Sequence, residues 1–253
     1  MNNYLKLSII VPAYRAEKHI RRNLERFKQS AAALKNKVVD EVEIIAVIDG
    51  EIDKSEAEAK KVKGVKVVSY PENRGKGYAL TYGFSCSTGN VITFIDVDCD
   101  LPPEQLKNFF PYLATADMVI GSKRHPFSLL EYPLIRRFLS KGFQLLSWLI
   151  LGVSLRDTQS GMKIFKREIL EVILPLILVK RYAFDLELCF LAHKHGFRIV
   201  EAPVHLEYHY GVSGINLVTP FNMLKDILAI RYRYSILKYY QKKFHETKFG
   251  IKS

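Results

Sequence analysis

The stretch VITFIDVDCDLPP at residues 91–103 constrains this chain more than any other. Its β-branched and aromatic run predicts a buried strand, and the strand ends in acids at alternate positions, Asp96, Asp98 and Asp100. Such a strand delivers carboxylates to the C-terminal edge of a sheet, where ligands bind in open α/β folds. Carboxylates clustered there repel one another unless a hard divalent cation neutralises them, so the pattern points to a metal holding a phosphate-bearing substrate. Asp100, just before Leu101, equally suits the cap of a helix starting near Pro103. For Asp96 and Asp98 together the metal is favoured, because two adjacent buried acids without a counter-ion are costly.

The rest of the first hundred residues alternates between two periodicities. Residues 6–11, 43–48 and 65–69 read as strands, and 16–34, 55–63 and 76–87 as helices. Alternation of this kind predicts a parallel sheet with right-handed crossovers. In the second half, strands are expected at 118–121, around Ile164 and at 199–203. Two strongly apolar helical patterns cover 133–151 and 221–240. In the first, Arg137, Ser140, Lys141, Gln144 and Ser147 form a narrow polar stripe beside a wide apolar face. That face belongs to core, to a partner subunit or to a membrane surface. There are no internal repeats, and the last ten residues are expected to be loose.

The chain has 253 residues, 48% of them hydrophobic, enough for a substantial core. Cys86, Cys99 and Cys189 are widely spaced and odd in number, as expected of core fillers in a reducing, cytoplasmic compartment. No apolar run reaches 18 residues, and neither a signal peptide nor a transmembrane helix is expected. The net charge of +12 implies an anionic partner. In residues 231–252 basic side chains interleave with Tyr232, Tyr234, Tyr239 and Tyr240, a combination suited to an anionic membrane surface. A nucleic-acid partner is not expected, since no binding motif occurs and the sheet-edge acids would repel phosphate without a metal. His205 and His209 do not have ligand spacing on a helix, because Pro203 argues for extended chain there.

Taken in order, SIIVPAYRAEKHI, VIDG, PENRGKGYAL, DVDCD, GSKR, DTQSGMKIFKRE and RYAFDLEL resemble the family 2 glycosyltransferases with a GT-A fold. The resemblance covers about residues 6–210. It is nearest to the synthases of polyprenyl-phosphate hexoses, the dolichyl-phosphate glucose and mannose enzymes. It departs from the family at Arg15, where Asn is usual, and around Asp49, which stands alone where an acidic pair is usual. The resemblance implies a mostly parallel, Rossmann-like sheet flanked by helices. Residues 1–215 would form one domain, with a nucleotide-sugar half at 1–100 and an acceptor half at 101–215. Residues 216–253 would add a basic amphipathic helix and tail.

The implied reaction is inverting, metal-dependent transfer of a hexose from a nucleotide-sugar donor, UDP-glucose before GDP-mannose, to a polyprenyl (dolichyl) phosphate. The alternative is a family 2 enzyme acting on a glycan acceptor, or a basic nucleic-acid-binding protein. Asp98 would ligate Mg²⁺ or Mn²⁺, with Asp96 on the ribose or the metal and Asp100 as a further ligand. Pro12, Ala13, Tyr14, Glu17 and Asp49 would recognise the nucleoside, although Glu17 also fits an acid in a helix's first turn. Arg74, Gly75 and Lys76 would hold the diphosphate. Arg124 heads the cations expected at the acceptor phosphate, followed by Arg136, Arg137 and Arg181, each of which also fits a surface role. Asp157 and Gln159 would meet sugar hydroxyls or orient a basic group, and Asp185 with Glu187 would complete the donor pocket. The loop YGVSGIN at 210–216 would close over the sugar. Peripheral attachment to the cytoplasmic face of a membrane follows from a lipid acceptor, with a homodimer or a membrane partner subunit as further possibilities.

Overall fold

The computed structural model describes residues 4–130, 134–181, 183–207 and 218–249. The 210–216 loop, His209 and the side chains of Arg136 and Arg137 lie outside the described residues. In chain order the elements are β1 (Lys6–Ala13), α1 (Ile20–Leu34), β2 (Glu41–Asp49), α2 (Ser55–Lys60), β3 (Lys66–Tyr70), α3 (Lys76–Ser85) and β4 (Val91–Ile95). A 3₁₀ turn at Pro103–Asn108 leads into α4 (Phe110–Leu113), β5 (Met118–Ser122), β6 (Leu129–Leu130), α5 (Leu134–Leu151) and β7 (Met162–Lys166). The chain ends with α6 (Arg167–Ile173), α7 (Phe184–Lys194), β8 (Ile199–Pro203), β9 (His205–Leu206), α8 (Val218–Ser235) and α9 (Tyr239–Phe249).

Seven strands form one sheet in the order β3-β2-β1-β4-β7-β5-β8. Only β7 runs antiparallel to its neighbours, so the sheet is mostly parallel, as expected. The chain winds outward from β1 through β2 to β3, then returns to β4 on the other side of β1. That reversal opens a crevice at the carboxyl ends of β1 and β4, where such folds bind ligands.

Both sheet faces are covered, which explains why β1 and β2 read as continuous apolar runs. Leu7, Ile9 and Val11 pack on one side with Ile44 and Ala46, while Ile10, Ile45 and Val47 pack on the other with Ala79 and Leu80 of α3. Helix α1 meets the first side through Ile20, Leu24, Phe27, Ala31 and Leu34, a stripe at steps of three and four residues.

Three expectations are corrected. The pattern at 221–240 is two helices, because Lys238 takes a left-handed φ of 50° and the chain turns between α8 and α9. The last ten residues are not all loose: α9 runs to Phe249, and the ring of Phe244 lies 4.3 Å from that of His195. The helix expected from Ala16 begins at Ile20, since Arg15 has φ of 50° and the Ala16 N–H donates to Ser55 Oγ at 2.8 Å.

Candidate active site

An open cleft of about 650 Å³ lies at the crevice, lined by Pro12, Ala13 and Tyr14 at the end of β1, Asp49 at the end of β2, and Asp96, Val97 and Asp98 after β4. Asn73, Gly75, Lys76, Gln159, Arg181, Asp185 and Met223 complete it.

Asp49 shapes one wall. Its buried carboxylate accepts from Tyr70 Oη at 2.9 Å, Asn73 Nδ2 at 2.9 Å, Arg74 N at 2.7 Å and Gly75 N at 3.0 Å. With its acceptor capacity so used, Asp49 acts by holding the 73–75 loop. Gly75 is required there: its φ is 93°, and a β-carbon would meet Lys180 O at 2.5 Å. The Arg74 guanidinium turns outward, donating to Tyr78 Oη at 2.9 Å and lying over the Tyr78 ring at 4.9 Å. Glu17 also stays out of the cleft, accepting from Lys54 N at 3.1 Å.

The opposite wall is an alternating charge chain. Lys76 Nζ stands 2.6 Å from Asp96 Oδ1 and 3.7 Å from Asp185 Oδ2. Burial alone would lower the Lys76 pKa, but the carboxylates of Asp185 and Asp96 outweigh it and raise it. Asp98 accepts from Asp100 N at 3.0 Å. Burial, then the charges of Asp96 and Asp100, push its pKa up to about 7. A carboxyl so reluctant to ionise is one that a cation would stabilise strongly. Among the described residues no three acidic, histidine or cysteine side chains converge as a ready metal cage. The oxygen donors fit a hard ion that takes one or two carboxylates and completes its shell from phosphate and water.

Behind Asp98 a smaller recess of about 120 Å³ is lined by Asp96, Asp98, Asp100, Lys123, Gln159 and Gly161. Lys123, not Arg124, lines this recess with the acids. Its backbone N–H donates to Asp157 Oδ2 at 3.0 Å and its Nζ lies 3.7 Å from the same oxygen. Arg124 turns the other way, donating to Arg156 O at 2.9 Å and to Gln144 Oε1 of α5, in a pocket it shares with Asp157 and Gln159. Arg181 reaches the cleft itself. Glu187 does not: fully buried, it accepts from Leu178 N at 3.1 Å, Val179 N at 2.7 Å and Tyr240 Oη, and burial raises its pKa. It pins the segment before Arg181 to α9.

Over its described side chains from Gln144 on, α5 turns an apolar side to solvent. Gln144 and Ser147 of its polar stripe face the Arg124 pocket, while Leu145, Leu146, Trp148 and Leu149 are exposed. Helix α8 packs beside it and leaves Leu228 and Tyr232 exposed.

Residues 8–174 match the family model described as glycosyl transferase family 2. The chain belongs to that family. The glycosyltransferase is 32% identical to the dolichyl-phosphate beta-glucosyltransferase of Drosophila melanogaster, over 92% of this chain and 76% of that protein. It is 29% identical to the human protein of the same name, over 90% and 76%. An uncharacterized protein of Methanocaldococcus jannaschii is 32% identical over 88% of this chain and 91% of its own length. Among solved structures, glucosyl-3-phosphoglycerate synthase from Mycobacterium tuberculosis, in complex with Mn²⁺, UDP and glucosyl-3-phosphoglycerate, superposes with a TM-score of 0.67. At 22% identity, over 90% of this chain and 79% of that one, the likeness establishes a shared fold.

Asn73 and Met223 line the cleft, Lys123 lines the recess behind Asp98, and Lys163 is buried beneath Asp185, donating to its Oδ1 at 2.6 Å; none of the four is marked by the sequence. Lys123, Lys163 and Asn73 lie inside GSKR, DTQSGMK and PENRGKGYAL, where residue type alone does not set them apart from their neighbours. Met223 comes from α8, about 125 residues beyond the acids, and carried no signal.

Proposed function

We propose that this glycosyltransferase moves glucose from UDP-glucose to the phosphate of a polyprenyl lipid of the dolichyl type, with inversion, at a membrane surface. The observation that carries the reading is the orientation of α5: polar groups toward the site, Leu145, Trp148 and Leu149 toward solvent. A soluble acceptor gives no reason for an apolar face beside the catalytic cleft, whereas an acceptor rooted in a bilayer requires one. The relatives named dolichyl-phosphate beta-glucosyltransferase support the same acceptor and sugar. Their names specify a β product, and UDP-glucose is an α-glycoside, which fits one displacement from the opposite face.

In that displacement a lipid phosphate oxygen forms the new bond to the sugar's C1 as the bond from C1 to the diphosphate breaks. The acceptor oxygen is already anionic, so it needs positioning and cations in place of a general base. Lys123 is suited to hold it near the acids, with Arg181 at the cleft and Arg124 orienting Gln144 and the 156–157 backbone. Uracil is assigned to the wall formed by Pro12, Ala13, Tyr14 and the Asp49-held loop. Asp98, with Asp96 or Asp100, would hold Mg²⁺ or Mn²⁺, which when bound stabilises the charge growing on the leaving diphosphate. Lys76 supplies a second positive charge to that group.

Attachment through α5, α8 and the basic C-terminal residues is peripheral; no described helix is long and apolar enough to cross a membrane. The cytoplasmic face is the proposed side, since Cys86, Cys99 and Cys189 are all free. A thermal-shift panel of UDP-glucose, UDP-N-acetylglucosamine and GDP-mannose, with and without Mn²⁺, tests the donor. UDP-glucose with Mn²⁺ should raise Tm most. A larger shift with GDP-mannose would reassign the base.

A further inference from the structure

The geometry points to Lys163 as a positioning residue for the cleft, a buried cation that sets both supports of the Asp96 carboxylate. Lys163 lies on β7 in the middle of the sheet. Its Nζ donates to Asp185 Oδ1 at 2.6 Å and to the backbone oxygen of Ser160. Each partner leads to Asp96. Asp185 holds Lys76, which holds Asp96 Oδ1; Ser160 precedes Gly161, whose carbonyl accepts the Asp96 N–H at 3.2 Å. Side-chain exposure rises stepwise along the first route, from 1% at Lys163 through 10% at Asp185 to 32% at Lys76 and 36% at Asp96. One end of the chain is therefore fixed in the core and the other open to ligand.

The arrangement decides where Lys76 spends its charge. With Lys163 in place, Asp185 already has a close cation, and Lys76 sits nearer Asp96 than Asp185, by 2.6 Å against 3.7 Å. Lys76 is then available to an entering diphosphate at the cleft mouth. Without Lys163 the carboxylate of Asp185 is left buried with Lys76 as its remaining lysine partner. It draws Lys76 inward, while the Ser160–Gly161 turn loses the bond that fixes it. Lys163 touches no substrate itself; it acts through these two neighbours.

The role rests on the cleft being a nucleoside-diphosphate site, so the test is binding of UDP with Mn²⁺ by calorimetry, alongside Tm. Lys163→Met should weaken UDP binding roughly 10–100-fold, the scale of outer-shell support for a metal site. Because one of its two routes runs through Asp185, the double variant Lys163→Met/Asp185→Asn should lose less affinity than the product of the two single losses. If Lys163→Met does not fold, Lys163→Gln, which keeps donor groups but no charge, takes its place. A folded Lys163 variant with wild-type UDP affinity overturns the role, as do losses that multiply in the double variant. Wild-type protein that fails to bind UDP would overturn the reading of the cleft, and the positioning role with it.

Discussion

The Asp96 carboxylate lies against the bare α-carbon of Gly161: a β-carbon built there would stand 2.3 Å from Asp96 Oδ2. The backbone of Gly161 thus serves as a shelf, holding Asp96 toward Lys76 by leaving no room elsewhere. Gly161→Ala should fold, because the clashing atom ends a side chain that can rotate, but Asp96 must leave its place. A displacement of about 1 Å at such a site costs on the order of a hundredfold in kcat/KM. Steady-state kinetics paired with a melting curve check this; an unchanged kcat/KM would refute the shelf.

Asp98 gives a pH dependence of definite sign. Its folded pKa, about 7, is above the ordinary carboxylate value of 3.8, so the folded state holds its proton more tightly than the unfolded one. Its contribution to stability is full below pH about 4 and is lost as pH rises to about 7. Asp98→Asn removes this dependence, and the comparison with wild type cancels other groups that titrate nearby. Without added metal, Tm of the variant relative to wild type should rise between pH 5 and 7. Transfer should fall roughly 10²–10³-fold, as expected for the loss of a group stabilising leaving-group charge. A flat Tm difference would show that Asp98 ionises normally.

Asp49 couples stability to donor binding. Its carboxylate accepts from two backbone N–H groups and two side chains of one wall. Asp49→Ala leaves those donors unmatched, at a cost of about 2–3 kcal/mol, and a protein of this size should lose roughly 5–10 °C in Tm. UDP affinity should fall in parallel, measured by calorimetry below the lowered Tm. Loss of stability with UDP affinity intact would confine Asp49 to a structural role.

The exposed face of α5 predicts membrane attachment separable from donor binding. Moving one large apolar side chain out of water stabilises attachment by roughly 1.5–3 kcal/mol. Trp148→Glu with Leu149→Glu should therefore abolish flotation with anionic liposomes while leaving UDP affinity unchanged. Wild-type protein that stays with the soluble fraction at low salt would point to a protein partner for this face.

The sheet's first half was legible because β1, β2 and β4 are buried on both faces and end at charged or turn residues. The antiparallel direction of β7 was not, since strand polarity leaves no trace in a five-residue strand such as MKIFK. The break at Lys238 was hidden for a related reason: a single left-handed residue preserves the surrounding helical pattern. Within the cleft, acids at a strand end were readable, and Asp96, Asp98, Asp49 and Asp185 all line it. Which way a side chain turns was not. Arg124 and Lys123 are neighbours with similar chemistry, and the bonds of Arg124 to Gln144 and Arg156 turn it from the recess that Lys123 lines. Glu187 shares α7 with Asp185 two positions on, so it projects from a different side of the helix and into the core.

Transfer of glucose to lipid-borne phosphate can be followed in a single assay. Purified protein is incubated with radiolabelled UDP-glucose, Mn²⁺ and dolichyl phosphate in liposomes, with 3-phosphoglycerate as a parallel soluble acceptor. Label should appear in an organic-phase β-glucosyl phospholipid and not on 3-phosphoglycerate, and should fall roughly 10²–10³-fold with Asp98→Asn. Label appearing on 3-phosphoglycerate, with dolichyl phosphate left unglucosylated, would contradict transfer to the lipid.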